Sequence, residues 1–154
     1  MNRSKIALCG IVIAAFASAA IAQEKKIQRA DLPPAVEKAV VEMSQGSEIR
    51  GFNEEKEHGK TFFEAELTVN GHHKDVLMDP QGAVVEVEEQ VEMSVLSPAV
   101  REGLQAKAGK GTIKTVESLT KKGKLVAYEA VVVADGKNRE VQVAPDGKAM
   151  THEE

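Results

Sequence analysis

The stretch NGHHKDVLMDPQG, running from Asn70 to Gly82, brings His72, His73, Asp75 and Asp79 close together in sequence. Imidazole and carboxylate groups are the usual zinc ligands and the usual acid–base groups. The spacing argues against both uses. Adjacent residues on a strand point to opposite faces, so His72 and His73 cannot grip one ion without ligands from other strands. No HExxH, CxxC or HxH pattern is present. Asp79 opens an Asp-Pro-Gln-Gly turn, where accepting backbone hydrogen bonds explains it. The histidines therefore read as solvated strand residues following a turn. A G-x-S-x-G elbow and a phosphate-cradling glycine loop are both missing. No catalytic residue, metal ligand or cofactor is expected, and the chain reads as non-enzymatic.

Carboxylates are the other chemical resource. Glu64, Glu66, Asp75, Glu86 and Glu88 alternate along strand-like segments. They could form an acidic patch for a basic partner or for weakly bound Ca²⁺. The plainer reading is a solvated face that keeps the protein soluble. Phe62 is out of phase with Phe63, so one of the two looks away from any core on the other side. Val131 and Val133 fall on the corresponding side further along the chain. Phe62, Glu64, Glu66, Val131 and Val133 are thus the candidate partner-binding residues on a sheet face.

The elements that must position them occur twice. LPPAVEKAV (Leu32–Val40) lies over LSPAVREGL (Leu96–Leu104) at an offset of 64, which also brings Ile49 onto Ile113 and Gly59 onto Gly123. At an offset of 65, Phe63-Glu64-Ala65 meets Tyr128-Glu129-Ala130, Gly71 meets Gly136, and Gly82 meets Gly147. Such self-similarity marks a duplication. Each copy opens with a helix: Pro34 and Pro98 suit its first position, and Ser97 suits its cap. Leu32, Val36, Ala39, Val40 and Met43 share one helical face. Gly46 and Gly109 suit the stops. Alternation of period two follows, with Phe63, Ala65, Leu67 and Val69 on one side and Glu64 and Glu66 on the other. Asn70-Gly71 and Asp135-Gly136 are two-residue hairpin turns.

The expected fold is α+β: two tandem repeats, each a helix plus a four-stranded antiparallel sheet, with the helices on one face. Strands are expected near 48–56, 61–69, 72–78 and 83–89, then 112–120, 125–134, 137–143 and 147–152. The repeats are placed at residues 23–90 and 91–154. A unit of this size buries a thin core, so the two should pack together.

Residues 1–22 read as a secretory signal peptide: basic Arg3 and Lys5, an apolar run to Ala20, then Ala20-Ile21-Ala22 before Gln23. The run is too short for a stable membrane span. Cleavage would remove Cys9, the single cysteine, so disulfides are excluded from the mature chain. It would also leave 18 basic and 24 acidic residues, a net charge of −6. That balance excludes nucleic acid, whose binding rests on phosphate neutralisation. The charge is uneven: residues 23–90 carry 15 acidic and 8 basic side chains, residues 91–154 carry 9 and 10.

The repeated units resemble PepSY-like domains, in the group likened to the β-lactamase inhibitor protein. The resemblance rests on LPPAVEKAV, HGKTFFEAEL and NGHHKDVLMDPQG in the first copy, and on LSPAVREGL, KKGKLVAYEA and VAPDG in the second. The second departs where Ala144 replaces the aspartate seen at Asp79. The resemblance implies a helix on an antiparallel sheet, a periplasmic or secreted bacterial location, and a protein partner such as an envelope peptidase that is bound or inhibited. It carries no catalytic residues to transfer. The rival class is a small-ligand or cation-binding protein using the acidic first repeat.

Overall fold

The computed structural model describes residues 23–150, so the expected signal peptide and the chain's last four residues lie outside the described residues. Eight strands follow in chain order: β1 (Gln23–Ile27), β2 (Glu48–Glu57), β3 (Lys60–Val69), β4 (His72–Met78), β5 (Val84–Gln90), β6 (Thr112–Lys121), β7 (Lys124–Ala134) and β8 (Lys137–Val143). Helix α1 (Pro34–Met43) joins β1 to β2, and α2 (Pro98–Ala108) joins β5 to β6. A 3-10 turn precedes each helix, at Arg29–Asp31 and Met93–Val95.

This corrects the expected architecture. Among the described residues there are not two four-stranded sheets but one antiparallel sheet of eight strands, each paired with its neighbours in sequence. Two facts produce the difference. The segment QEKKI, which has too few apolar residues to show alternation, pairs along β2 from Gln23↔Lys56 to Ile27↔Phe52. In the same way β5 pairs along β6 from Glu86↔Lys121 to Gln90↔Glu117. A strand that was expected to close the first sheet thus also opens the second, and neither unit keeps an edge at the join. The expected strand near 147–152 is reduced to a single bridge, Val143↔Ala149, within the described part.

Local chemistry explains the elements. Ser97 Oγ accepts the Val100 N–H at 3.2 Å, capping α2. Pro33 gives α1 no such bond, and Pro34 fills the first helical position instead. The hairpins at Asn70-Gly71 and Asp135-Gly136 hold both residues at positive φ (52° and 85°; 51° and 74°), as their turn type requires.

Each helix covers its own half of one sheet face. Val36 and Val40 of α1 pack with Phe52, Phe63, Ala65, Leu67, Val76 and Met78. Val100, Leu104 and Ala108 of α2 pack with Val116, Ala130, Val132, Val141 and Val143. Cross-strand register shows that the two cores share a face: Ala65 opposes Val76, Val76 opposes Val87, and Val87 opposes Thr120, two positions from Ser118 and four from Val116. The turns carrying Gly82 and Gly147 press on the helix starts. A Cβ at Gly82 would lie 2.5 Å from the Ala35 carbonyl oxygen, and one at Gly147 would lie 2.2 Å from that of Ala99. Both glycines have positive φ, so no other residue fits easily.

Candidate binding face

The opposite face of the sheet is polar, and the register writes out its composition. Glu24 opposes Glu55. Asn53 opposes Glu64. Glu66 opposes Asp75, which in turn opposes Glu88. Glu117 opposes Glu129. Like charges placed directly across a ladder repel one another, so most of these pairings cost stability.

Only part of this repulsion is relieved. Arg50 sits at the bulge in β2 and reaches over β3, donating to Asp75 Oδ1 on β4 at 2.8 Å and to the Leu67 carbonyl at 3.2 Å. Asn53 donates to Glu64 Oε2 at 2.7 Å and to Glu66 Oε1 at 3.2 Å. Gln142 donates to Glu129. Lys121 pairs with Glu86 at 2.9 Å. Among the described residues, Glu55, Glu88 and Glu117 make no hydrogen bond or ion pair. Glu55 and Glu117 are nevertheless only 6% and 7% exposed.

Electrostatics follow. Burial, then the charges of Glu24, Glu86 and Glu57, push the Glu55 carboxyl up to about 7. Burial, opposed by the Asn53 hydrogen bond, raises Glu64 to about 8. Burial and the charges of Glu129, Glu117, Glu86 and Glu64 raise Glu88 to about 9. Glu117 rises to about 7, and Asp75, despite Arg50, to about 6. Glu55 on β2 feels Glu86 on β5, and Glu24 on β1 feels Asp75 on β4. The twisted sheet therefore gathers acids from separate strands into one field.

The candidate residues fall as follows. Glu64 and Glu66 lie in the midst of this field. Phe62 is half-buried opposite Glu55, on the carboxylate side, while Phe63 is buried in the first core. Val131 and Val133 are half-buried on the same side of β7, Val131 opposing Thr115 and Glu140. Sequence reasoning did not single out Glu55, Glu117 and Glu129. The repeat alignment could have: Glu129 overlies Glu64, and Glu117 overlies Asn53.

Metal chemistry finds no support in the geometry. Among the described residues no three His, Cys, Asp or Glu side chains are placed to hold an ion. His72 and His73 alternate on β4, His72 with a buried Nδ1 that lacks a hydrogen-bond partner and His73 exposed. Burial and the Arg50 charge lower the His73 pKa. Asp79 Oδ1 accepts the Gln81 and Ala83 N–H groups at 2.9 and 3.0 Å, the expected turn role. A concavity of about 430 Å³ lies at the start of the second half, with Val91, Glu92, Met93, Gln105, Ala108 and Val116 among its lining residues. Its lining holds no histidine, cysteine or aromatic group.

No protein-family model matches the chain, and neither does any curated protein sequence. Solved structures do. A Bacteroides eggerthii protein provisionally described as periplasmic is 15% identical with a TM-score of 0.63, covering 78% of this chain and 86% of its own. A DUF2874 family protein from Bacteroides uniformis is 18% identical with a TM-score of 0.61, covering 77% and 86%. A BLIP-like protein from Bacteroides fragilis is 16% identical with a TM-score of 0.56, covering 76% and 82%. At these identities the architecture is what is shared: the chain has a BLIP-like fold.

Proposed function

We propose that this chain is an exported, non-enzymatic protein-binding module, a tandem of two PepSY-like units that docks a protein on its helix-free sheet face and restrains an envelope peptidase or another envelope enzyme. The observation that carries this reading is the contrast between the faces. One is sealed by both helices over two apolar cores. The other keeps mutually repelling acids beside half-buried Phe62 and Val131, an arrangement that costs stability and needs a reason. A periplasmic or secreted location is supported by the leader-like residues 1–22 and by the provisional description of the Bacteroides eggerthii neighbour. No helix among the described residues is long and apolar enough to cross a membrane.

The experiment is site-specific photo-crosslinking in cell-envelope extract. A photoreactive residue at Phe62 should capture a discrete protein, while one at Val41, which is 48% exposed on α1, should not. Identical adducts from both positions, or none from Phe62, would end the proposal. The rival, a cation-binding protein, has less support, because no ligand group is preassembled among the described residues.

A further inference from the structure

We infer that the partner segment held by this face is a lysine- or arginine-rich stretch of polypeptide lying extended across the strands. The inference rests on the protein-binding reading above and names the chemistry of the partner. The field is acidic from edge to centre: each strand from β1 to β7 contributes at least one carboxylate to it, while the register places Lys26, Lys60, Lys121 and Lys124 on the same side and Arg50 reaches in from the β2 bulge.

Acidic residues alone would make only a solvated surface. Here Glu55 is 94% shielded from solvent, has neither hydrogen bond nor ion pair, and is turned toward the negative charges of Glu24 and Glu86. Glu117 is nearly as shielded, with Arg50 as its single attractive charge. Their carboxylate oxygens still keep a strip of solvent access, because among the described residues the buried side-chain polar atom left without a partner is His72 Nδ1. An incoming ammonium or guanidinium group can therefore reach them and would supply the cationic partner each lacks within the chain.

Size selects a chain over an ion. Strands lie about 4.8 Å apart, so the path from β2 to β7 is roughly 24 Å. No three acids converge on one point among the described residues. An extended polypeptide advances about 3.3 Å per residue, so roughly seven residues cross the field. Alternate residues would project basic side chains down onto it. Phe62, at the rim beside Glu55, gives the aliphatic stem of a lysine or arginine an apolar surface.

The test titrates the mature chain with a fluorescent peptide of alternating lysine and serine, ten residues in all. Controls are the matching glutamate–serine peptide and spermidine. A double substitution, Glu88→Gln with Glu117→Gln, should weaken lysine-peptide binding about tenfold. Glu42→Gln with Glu102→Gln, exposed on the two helices, should change it less than about twofold. Removing repelling acids should leave the melting temperature equal or higher, so loss of binding cannot be attributed to unfolding. Proton release on binding near neutral pH is also expected, because the carboxyls must ionise to pair with a cation. The inference falls if the anionic peptide binds equally well, if spermidine binds as tightly as the peptide, or if the central double variant keeps full affinity. A partner crosslinked at Phe62 that has no basic segment would likewise overturn it while leaving the protein-binding reading intact. Tight peptide binding with no Phe62 adduct would do the reverse.

Discussion

Equivalent positions in the two halves of the molecule behave alike on one face and differently on the other. Under the helices, Phe52 matches Val116, Phe63 matches Tyr128, Leu67 matches Val132 and Met78 matches Val143. Shapes change, yet both cores stay apolar and both helices seat the same turn glycine. On the acidic face, Asn53 is replaced by Glu117, Glu55 by Leu119 and Glu66 by Val131. The first half relieves Glu64 and Asp75 with Asn53 and Arg50 but leaves Glu55 against Glu24. The second sets Glu117 directly against Glu129, and there the amide of Gln142 relieves Glu129 alone. Packing tolerates any apolar filling of the right volume, so the cores need only remain oily. The helix-free face is where the copies have acquired different chemistry.

The largest expected effect separates the cores from everything else. Leu104→Ala removes a fully buried side chain and should cost about 2–5 kcal/mol. Its counterpart Val40→Ala should cost less, because the lost volume is smaller. Denaturant melts of both variants measure the difference. Equal costs would mean that the two cores do not pack alike. Next come the turns. Gly147→Ala should destabilise by roughly 1–3 kcal/mol, through its positive φ and its approach to the Ala99 backbone. Gly82→Ala should cost somewhat less, since its added Cβ is a few tenths of an ångström further from the Ala35 carbonyl. The reverse order would show that the turn-to-helix contact is looser in the second half.

Much of this contrast was legible in the sequence. The duplication, the Pro34 and Pro98 helix starts, the hairpin turns and the in-out alternation of Phe63–Val69 were all readable, because each rests on local rules. The single sheet was not, because joining β5 to β6 is a decision between distant segments. QEKKI escaped notice with only Ile27 to place in the core. Its signal was nonetheless present: Glu24 and Ile27 overlie Glu88 and Val91 at the same offset of 64 as the helices. The repeated order is strand, helix, three strands, rather than helix then four strands. At the candidate face, side assignments were readable by parity. The crowding that leaves Glu55 and Glu117 unpaired was not, because it depends on how strands several positions apart bring their side chains together.

The acidic face sets the pH response. Carboxyls raised in the folded state contribute stability that is fully present below their unfolded values, near 4.5, and is lost as pH climbs through the folded ones. The window therefore opens just above pH 4.5 and extends to about 9, the value at Glu88. Relieved acids should behave differently from unrelieved ones. Arg50→Gln should destabilise near neutral pH, since Asp75 loses its cation, whereas Glu117→Gln should stabilise. Thermal melts at pH 7 check both signs. The smallest effect belongs to the histidines: His73→Ala should shift stability by less than about 0.5 kcal/mol, with no added Zn²⁺ response in either protein. A zinc-dependent rise in the melting temperature would reopen the metal question.

The most direct measurement is thermal unfolding of wild type and Glu88→Gln from pH 5 to pH 9. The account predicts that the wild type loses melting temperature steadily as pH rises. It predicts that Glu88→Gln flattens the slope and is more stable at pH 8 by roughly 1–3 kcal/mol. A wild-type profile that is flat or rising over that range, or a variant less stable than wild type at pH 8, would contradict it.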